Sequence, residues 1–212
     1  MANNALIFDV DGTLCDSTDA LIHSWNQVMD RLPNDHIELT PSFIHGYMGK
    51  TMEEWAEACF PSTPLSEGTR YILDCSASEN RWISTYGTDL YPGVYETFKE
   101  LSQEYDLYIL SNANPGYIEA VAGFAKIDVF LKGHLCFGDT GLDKAENIRY
   151  LMNRHGIESA AYIGDTAKDQ QACLDAGIPF IFAAYGFGTA ENPLYTIDSL
   201  NELKAEAQKV FA

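Results

Sequence analysis

The sequence predicts an α/β protein with a doubly wound parallel sheet and an inserted, all-helical domain. From about residue 93 onwards, short apolar segments alternate with amphipathic segments of helical period, which is typical of parallel strands joined by helices. The block from about residue 33 to 86 contains no convincing strand. We therefore expect a core formed by residues 1–15 and 88–212, and a helical cap formed by residues 16–87.

The first half of the chain is predicted to contain one strand followed only by helices. Asp16 and Ser17 are residue types that favour a helix N-cap, and Thr40 precedes a proline, which is favoured at the first helical position. The predicted elements are a strand over 5–9 and helices over 16–32, from 41 onwards, 51–60 and 66–86.

The second half is predicted to alternate between strands and helices. Gly177 follows a helical segment and is expected to end it, because glycine adopts the left-handed conformation beyond a helix end without strain. The strand over 179–183 is expected to close the sheet, and Ser199 to cap a C-terminal helix. The other predicted elements are helices 93–104, from 114, 143–155 and 167–176, and strands 107–111, 135–137 and 161–164.

The charge of the chain restricts its partners. There are 13 lysines and arginines against 31 aspartates and glutamates, so the formal net charge is −18 at pH 7. Such a charge repels nucleic-acid phosphates at long range, and binding to DNA or RNA is not expected. A small phosphorylated metabolite is compatible with this charge where a local cation and a local lysine offset it. The sequence leaves open a monomer or a homodimer.

Targeting signals and disulfides are not expected. No apolar run approaches the ~20 residues of a membrane span, and residues 1–4 lack the pattern of a signal peptide. The five cysteines are scattered, without a Cys-x-x-Cys pair, and are interpreted as reduced thiols, most of them packing groups. We expect a cytoplasmic protein without membrane contact.

The segment Asp9-Val10-Asp11-Gly12-Thr13 is the most informative motif of the chain. On a strand, residues 9 and 11 point to the same side, and a turn at Gly12 lets both reach one space. Two carboxylates this close do not both ionise comfortably unless a cation lies between them or one retains a proton. Hard oxygen ligands suit Mg²⁺, so the motif predicts a magnesium site.

Polar residues follow other predicted strands as well. Ser111-Asn112, Gly138-Asp139 and Gly164-Asp165-Thr166 stand at the C-terminal ends of three of them. Ligands of open parallel sheets bind beyond the carboxyl ends of the strands. The four strand ends together therefore predict one ligand site at this edge of the sheet.

The residue types at these strand ends predict phosphoryl transfer. Asp9 is suited to attack phosphorus as a nucleophile and form an aspartyl-phosphate, and Asp11 to protonate the leaving oxygen and later deprotonate water. Asp165 is the expected Mg²⁺ ligand, and Asp169, four residues further on, is expected to support the site from behind. Lys144 is expected to neutralise the nucleophile and the transferring group.

Phosphate oxygens also need hydrogen-bond donors. The predicted donors are the side chains of Ser111 and Asn112 and the backbone amides near Gly12 and Thr13. In the cap, Lys50 ends a segment that is predicted to lie over the site. It is a candidate for contact with a substrate carboxylate or second phosphate, and an exposed lysine near a helix start explains it equally well.

Taken together, these motifs resemble the haloacid dehalogenase-like hydrolase superfamily, in the branch of phosphoglycolate phosphatases and β-phosphoglucomutases. The resemblance implies a Rossmann-like core with a helical cap, Mg²⁺ held by Asp9, the Asp11 carbonyl and Asp165, and Asp9 and Asp11 as nucleophile and acid/base. One departure is that alanine follows Lys144, where many relatives have proline. The matching residues are Asp9-Val10-Asp11-Gly12-Thr13-Leu14, Leu110-Ser111-Asn112, Lys144, and Gly164-Asp165-Thr166 with Asp169.

The same resemblance favours one activity of the chain over several alternatives. The expected function is Mg²⁺-dependent hydrolysis of small phosphomonoesters, similar to phosphoglycolate phosphatase. Asp11 argues against dehalogenases and phosphonatases, which lack an aspartate there. β-Phosphoglucomutases carry a histidine in the first cap helix where this chain has Leu21, with His23 two residues away. The alternatives are a phosphosugar mutase, an inorganic pyrophosphatase, and an acidic regulatory or binding protein on the same fold.

Overall fold

The computed structural model of the protein describes residues 4–33 and 36–212. Expectations that fall on residues 1–3, within the segment examined for a signal peptide, and on 34–35, within the helical block, lie outside the described residues. The strands are β1 (Ala5–Phe8), β2 (Cys15–Asp16), β3 (Asp89–Leu90), β4 (Asp106–Ser111), β5 (Leu131–Cys136), β6 (Ala160–Gly164), β7 (Phe180–Ala183) and β8 (Tyr195–Ile197). The helices are α1 (Thr18–Met29), α2 (Pro41–Tyr47), α3 (Met52–Cys59), α4 (Leu65–Tyr86), α5 (Val94–Leu101), α6 (Tyr117–Ala125), α7 (Phe137–Thr140), α8 (Lys144–His155), α9 (Ala167–Ala176) and α10 (Leu203–Val210).

The main sheet is six-stranded and parallel, in the order β5-β4-β1-β6-β7-β8. β1 lies at its centre, with Phe8 opposite Ile109 of β4 and Ile163 of β6. The chain runs outward from β1 to one side through β4 and β5, and then to the other side through β6, β7 and β8. This confirms the predicted doubly wound sheet and places a crevice at the carboxyl end of β1.

Both faces of the sheet are covered by helices, which is why its central strands are apolar without alternation. Leu6 and Phe8 of β1 belong to one buried cluster, which includes residues of α5, α6 and α10. Ile7 belongs to a second cluster on the opposite face, with residues of α8 and α9. The alternating direction of side chains along a strand thus feeds two hydrophobic layers from one short segment.

Helices α1 to α4 have a hydrophobic cluster of their own, in which Trp25, Trp55 and Tyr71 are buried. Two of these helices begin where the sequence predicts. The Thr40 hydroxyl accepts a hydrogen bond from the Phe43 backbone N, and Thr51 caps α3 reciprocally with Glu54. We call α1 to α4 the cap. Their separate cluster supports the division into core and cap, whose boundaries stay a prediction.

Several local expectations are wrong. The strand over 179–183 does not close the sheet, because Tyr195–Ile197 forms a further parallel strand beside it. This strand is too short, and too polar at Thr196, to be recognised from periodicity. The edge strand β5 begins at Leu131 and not at 135. Its first four residues are partly buried or exposed, so they lack the apolar pattern by which a strand is recognised in sequence. The chain leaves the core for the cap through β2 and returns through β3, and these two strands form an antiparallel pair.

Two predicted serine caps are also wrong. Ser17 and Ser199 make no side-chain cap hydrogen bond. At the start of α1 the Asp16 carboxylate accepts from the Thr18 backbone N at 3.0 Å, which leaves the Ser17 hydroxyl available for the site described below.

Two broader expectations can be compared with the structure. The five cysteines are free and buried, as predicted for packing groups. Among the helices in the described part of the chain, none combines the length and apolar character that crossing a bilayer requires.

Candidate active site

Three strands of the sheet end at one cavity beneath the cap. Asp9 follows β1, Ser111 ends β4 and Asp165 follows β6, and all three line this cavity. Because β1 pairs with both β4 and β6, their carboxyl ends meet at the same edge of the sheet. The structure therefore brings together three of the four predicted strand ends.

The fourth strand end does not contribute. β5 lies at the edge of the sheet, and Asp139 lies in the short helix α7. There its carboxylate accepts a hydrogen bond from the Cys136 backbone N at 3.0 Å. The prediction from Gly138-Asp139 is wrong, because this aspartate caps a local helix start.

A cluster of buried carboxylates forms the floor of the cavity. Asp9, Asp165 and Asp169 are 8%, 1% and 1% exposed, and each places one ligand oxygen within 4.8 Å of the others. The Lys144 Nζ donates to Asp9 Oδ2 at 2.9 Å and to Asp169 Oδ1 at 2.5 Å. One lysine thus faces three carboxylates, and the cluster is left with an excess of negative charge.

The pKa values of this cluster reflect that excess. Burial raises the pKa of Asp9 well above its ordinary value, and Asp169 and Asp165 raise it further against the opposing effect of Lys144. Burial and Asp169 raise the pKa of Asp165 to about 6. Burial alone would lower the pKa of Lys144, but Asp169 and Asp9 raise it well above its ordinary value. The lysine stays charged, and the carboxylates need a further cation to ionise fully.

Asp165 offers an open ligand position for such a cation. Its Oδ2 accepts hydrogen bonds from the backbone N of Phe187 at 2.8 Å and of Gly188 at 3.3 Å. Its Oδ1 is buried and has no hydrogen-bond partner among the described residues. A buried carboxylate oxygen without a partner is costly unless a ligand binds it, and hard oxygen donors fit Mg²⁺.

Two glycines allow the backbone to approach Asp165. Gly12 has φ of +75°, and a Cβ there would overlap the Asp165 carboxylate. A Cβ at Gly186 would overlap both the Gly12 carbonyl oxygen and Asp165. Gly12 therefore supplies space and a left-handed turn, and the segment 184–188 after β7 completes the wall of the site.

Asp169 already has partners for both of its carboxylate oxygens. Oδ2 accepts from the backbone N and hydroxyl of Thr166 at 3.0 and 2.6 Å, and Oδ1 accepts from Lys144. This arrangement caps α9 and fixes the position of Lys144. It is compatible with the expected supporting role of Asp169, and it shows that this support acts through Lys144.

Asp11 lies on the other side of the cavity, beside α1 and α6. Its Oδ1 accepts from the Ser17 hydroxyl at 2.5 Å and from the Tyr117 hydroxyl at 2.5 Å. Burial raises its pKa against the lowering effect of these two hydrogen bonds. The carboxyl is therefore oriented through one oxygen, and it retains a proton to higher pH than an ordinary aspartate.

The predicted phosphate donors differ in how the structure uses them. Ser111 lines the cavity, and its Oγ accepts from the Ala113 backbone N at 3.2 Å, which leaves its proton free for a ligand. Asn112 also lines the cavity, but its Nδ2 donates to the Gly49 carbonyl of the cap at 3.2 Å. The Gly12 and Thr13 amides donate to Cys15 O and Val10 O at 2.9 and 3.1 Å, so the turn itself uses them.

Lys50 and His23 are the two cap residues whose roles the sequence leaves open. Lys50 lines the cavity, and its Nζ donates to Glu54 Oε1 at 3.0 Å. His23 is exposed and stacks on Trp82, whereas Leu21 lines the cavity. The histidine is thus directed away from the site, which favours hydrolysis over transfer between sugar positions.

Sequence reasoning missed the contributions of Tyr117, Glu79 and the segment 184–188. Tyr117 begins α6, two residues after Pro115, and resembles an ordinary apolar helix residue in sequence. Glu79 lies within a long amphipathic helix, where a buried carboxylate gives no local signal. The segment 184–188 contributes backbone amides, which no residue type identifies.

Replacing Tyr117 with phenylalanine is expected to lower kcat about tenfold, the effect of losing one hydrogen bond to a carboxyl group. The ring packs in the core and would keep its position, so the melting temperature should change little. Steady-state kinetics and thermal unfolding of Tyr117→Phe check this. An unchanged kcat would show that Ser17 alone orients Asp11.

The fold and the site define a class: a capped enzyme with a Rossmann-like core and an aspartate-based site at the carboxyl edge of its sheet. The sequence model of the haloacid dehalogenase-like hydrolase family matches residues 6–183. The chain belongs to this family, and it is a hydrolase.

Individual relatives agree with this assignment. The chain is 27% identical over 222 residues to a phosphoglycolate phosphatase of Vibrio parahaemolyticus, and the match covers 93% of each. It is 27% identical over 195 residues to a phosphoglycolate phosphatase of Rhodobacter capsulatus, which covers 86% of this chain and 85% of the relative. A solved haloacid dehalogenase-like hydrolase from Streptococcus pneumoniae superimposes with a TM-score of 0.78 at 24% identity, covering 96% and 97% of the two chains; this likeness concerns the fold.

Proposed function

We propose that this protein is a Mg²⁺-dependent phosphatase that hydrolyses small phosphomonoesters through an aspartyl-phosphate on Asp9. One observation carries the proposal: the buried group of Asp9, Asp165 and Lys144 at the carboxyl edge of the sheet, in which Asp165 Oδ1 has no partner in the described part of the chain. The residues that would hold Mg²⁺ are Asp9, Asp165 and, through its carbonyl, Asp11. Bound there, the ion would offset the charge of a phosphate and of its oxygens during transfer.

The residues of the chain divide the chemistry between them. Asp9 attacks the phosphorus atom, and Lys144, 2.9 Å from its carboxylate, neutralises charge on the nucleophile and on the phosphoryl oxygens. The Ser111 hydroxyl is free to donate to one of these oxygens. Asn112, the next residue, lines the same part of the cavity. The cap above the cavity excludes bulk water from the reaction.

Asp11 moves the proton in this scheme. Its raised pKa keeps a larger fraction protonated near neutral pH, as donation to the leaving alcohol oxygen requires. Once it has lost that proton, the same carboxylate takes one from the water that hydrolyses the aspartyl-phosphate. Ser17 and Tyr117 hold one oxygen of Asp11 and leave the other for this transfer.

The substrate class follows in part from the relatives, whose names specify phosphoglycolate. By analogy, a phosphorylated metabolite of a few carbon atoms fits the small cavity under the cap. We place Lys50 at the rim of this cavity, where its hydrogen bond to Glu54 makes it less available to bind a substrate anion.

The first test is release of phosphate from p-nitrophenyl phosphate by the purified protein. We expect activity with Mg²⁺ and its loss with excess EDTA, restored by added Mg²⁺. Activity that is unaffected by EDTA would contradict the metal site. The same assay with inorganic pyrophosphate, and with β-glucose 1-phosphate monitored for the 6-phosphate, tests the pyrophosphatase and mutase alternatives; activity with these alone would overturn the proposal.

A further inference from the structure

The cap presents a particular wall to the cavity, opposite the carboxylate cluster. Its apolar part is formed by side chains of α1 and α3, among them Leu21, Trp25 and Trp55. The two tryptophan rings lie 5.0 Å apart and are almost fully buried, so this part of the wall is rigid. Its polar part comes from α4, which directs Ser76, Glu79 and Asn80 into the cavity.

Glu79 is the unusual member of this wall, because a carboxylate is 6% exposed in the interior of the cap. Trp25 Nε1 donates to its Oε2 at 2.9 Å. Within residues 4–33 and 36–212 this is the only side-chain hydrogen bond to the carboxylate, so its Oε1 is open toward the cavity. A carboxylate oxygen without a protein donor is available to a hydrogen-bond donor of a ligand that enters the cavity.

Asn80, the next residue, is used in a similar way. Its Nδ2 donates to the Pro115 carbonyl of the core at 3.0 Å, which fixes the orientation of the amide. Its Oδ1 is buried and has no partner among the described residues. The core therefore occupies the donor of Asn80, and α4 presents two neighbouring acceptors that are free to bond with a ligand.

We propose that this wall selects the alcohol part of the substrate: a phosphomonoester whose leaving group carries a hydroxyl or ammonium donor and no carboxylate. The inference rests on the proposed phosphatase function and deepens it. A hydroxyl or ammonium group satisfies the open acceptors of Glu79 and Asn80, and the carbon chain packs on Trp25 and Trp55. At a pH above the pKa of Glu79, which burial raises to about 8, a substrate carboxylate meets a buried like charge, which is unfavourable.

The lysines near the cavity do not reverse this preference. Lys50 is paired with Glu54 at 3.0 Å. Lys168 also lines the cavity, and burial together with the charges of Lys50 and Lys144 lowers its pKa. Within the described residues neither lysine forms an ion pair with Glu79, so neither neutralises this carboxylate when it is ionised.

The test compares esters of similar size that differ in one group: glycerol 1-phosphate, O-phosphoethanolamine, propyl phosphate and 2-phosphoglycolate. Assays at pH 9 keep Glu79 ionised, since burial raises its pKa to about 8. We expect kcat/KM for the better of the two donor-bearing esters to exceed that for propyl phosphate by about tenfold or more, and that for 2-phosphoglycolate by a larger factor. The two donor-bearing esters distinguish a hydroxyl from an ammonium ligand.

Glu79→Gln then tests whether this residue is responsible. The variant is expected to lower kcat/KM for the preferred ester about tenfold and to raise that for 2-phosphoglycolate, so that the ratio of the two falls by more than tenfold. Asp74→Asn is the matched control, since Asp74 is an exposed carboxylate on the same helix; its ratio should equal that of the unaltered protein. If Glu79→Gln fails to fold, Trp25→Phe, which removes the hydrogen bond to Glu79, takes its place.

The outcomes separate the two proposals. A preference of the unaltered protein for 2-phosphoglycolate, or a ratio that Glu79→Gln leaves unchanged, overturns the assignment of the wall and leaves the phosphatase function standing. Absence of phosphate release from every ester, p-nitrophenyl phosphate included, overturns the function and with it this inference.

Discussion

Replacing Asp9 with asparagine is expected to reduce kcat on the order of 10⁴-fold while the protein still folds. The amide cannot attack phosphorus, and it places a donor beside the Lys144 Nζ. The fold should persist because Asp9 Oδ1, which accepts from the Val10 backbone N at 2.9 Å, has an equivalent in asparagine. Lys144 also keeps its second partner, Asp169.

Steady-state kinetics and thermal unfolding of Asp9→Asn measure the two parts of this prediction. Asp175→Asn is the control, because it removes an exposed carboxylate from α9 without touching the cavity, and its activity should be unchanged. Substantial turnover by pure Asp9→Asn protein would refute Asp9 as the nucleophile.

Replacing Asp165 with asparagine is expected to raise the Mg²⁺ concentration for half-maximal activity by about 100-fold or more. Loss of a residue that only hydrogen-bonds to a metal ligand causes a smaller change. The reason for the large shift is the fixed orientation of the Asp165 side chain. The amides of Phe187 and Gly188 need an acceptor at Oδ2, so the oxygen of asparagine stays there. Its NH₂ group then occupies the position of Oδ1, where a cation needs an acceptor.

A Mg²⁺ titration of activity, compared between Asp165→Asn and the Asp175→Asn control, measures this shift. Saturating Mg²⁺ should restore part of the activity, since Asp9 and Lys144 are unaltered. An equal half-maximal concentration in both variants would mean that Asp165 is not a ligand.

The sequence predicts most of what places the carboxylates to which the proposal assigns catalysis. Asp9 and Asp165 are recognisable because each follows a short apolar segment, and because parallel strands present their carboxyl ends at one edge. Asp139 has the same local context and fails, since β5 lies two strands from β1. Strand order is a property of long-range pairing, and no local pattern separates Asp139 from Asp165.

Other parts of the site depend on contacts between distant segments. Tyr117 reaches Asp11 across 106 positions of the chain, and Trp25 reaches Glu79 across 54. The amides of Phe187 and Gly188 act on Asp165 through backbone atoms, for which side-chain identity carries no information. Such contacts arise from packing of the cap and of the segment after β7, and only the folded chain shows them.

The cap illustrates the same distinction. Its helices could be predicted from local signals, such as the Thr40 cap before Pro41 and the amphipathic pattern from residue 51 onwards. The orientation of the cap could not, because it depends on hydrogen bonds such as that of Asn112 to Gly49 O. That orientation places Leu21 at the cavity and His23 away from it, which favours hydrolysis over isomerisation.

The most direct test of the central claim is chemical trapping of the phosphoryl group on the protein. The enzyme is quenched in acid during turnover with Mg²⁺, reduced with borohydride, and analysed by tandem mass spectrometry; reduction converts an aspartyl-phosphate to homoserine. The account predicts homoserine at position 9 only, and none when EDTA replaces Mg²⁺. Homoserine at another aspartate, or phosphate release without modification at position 9, would contradict it.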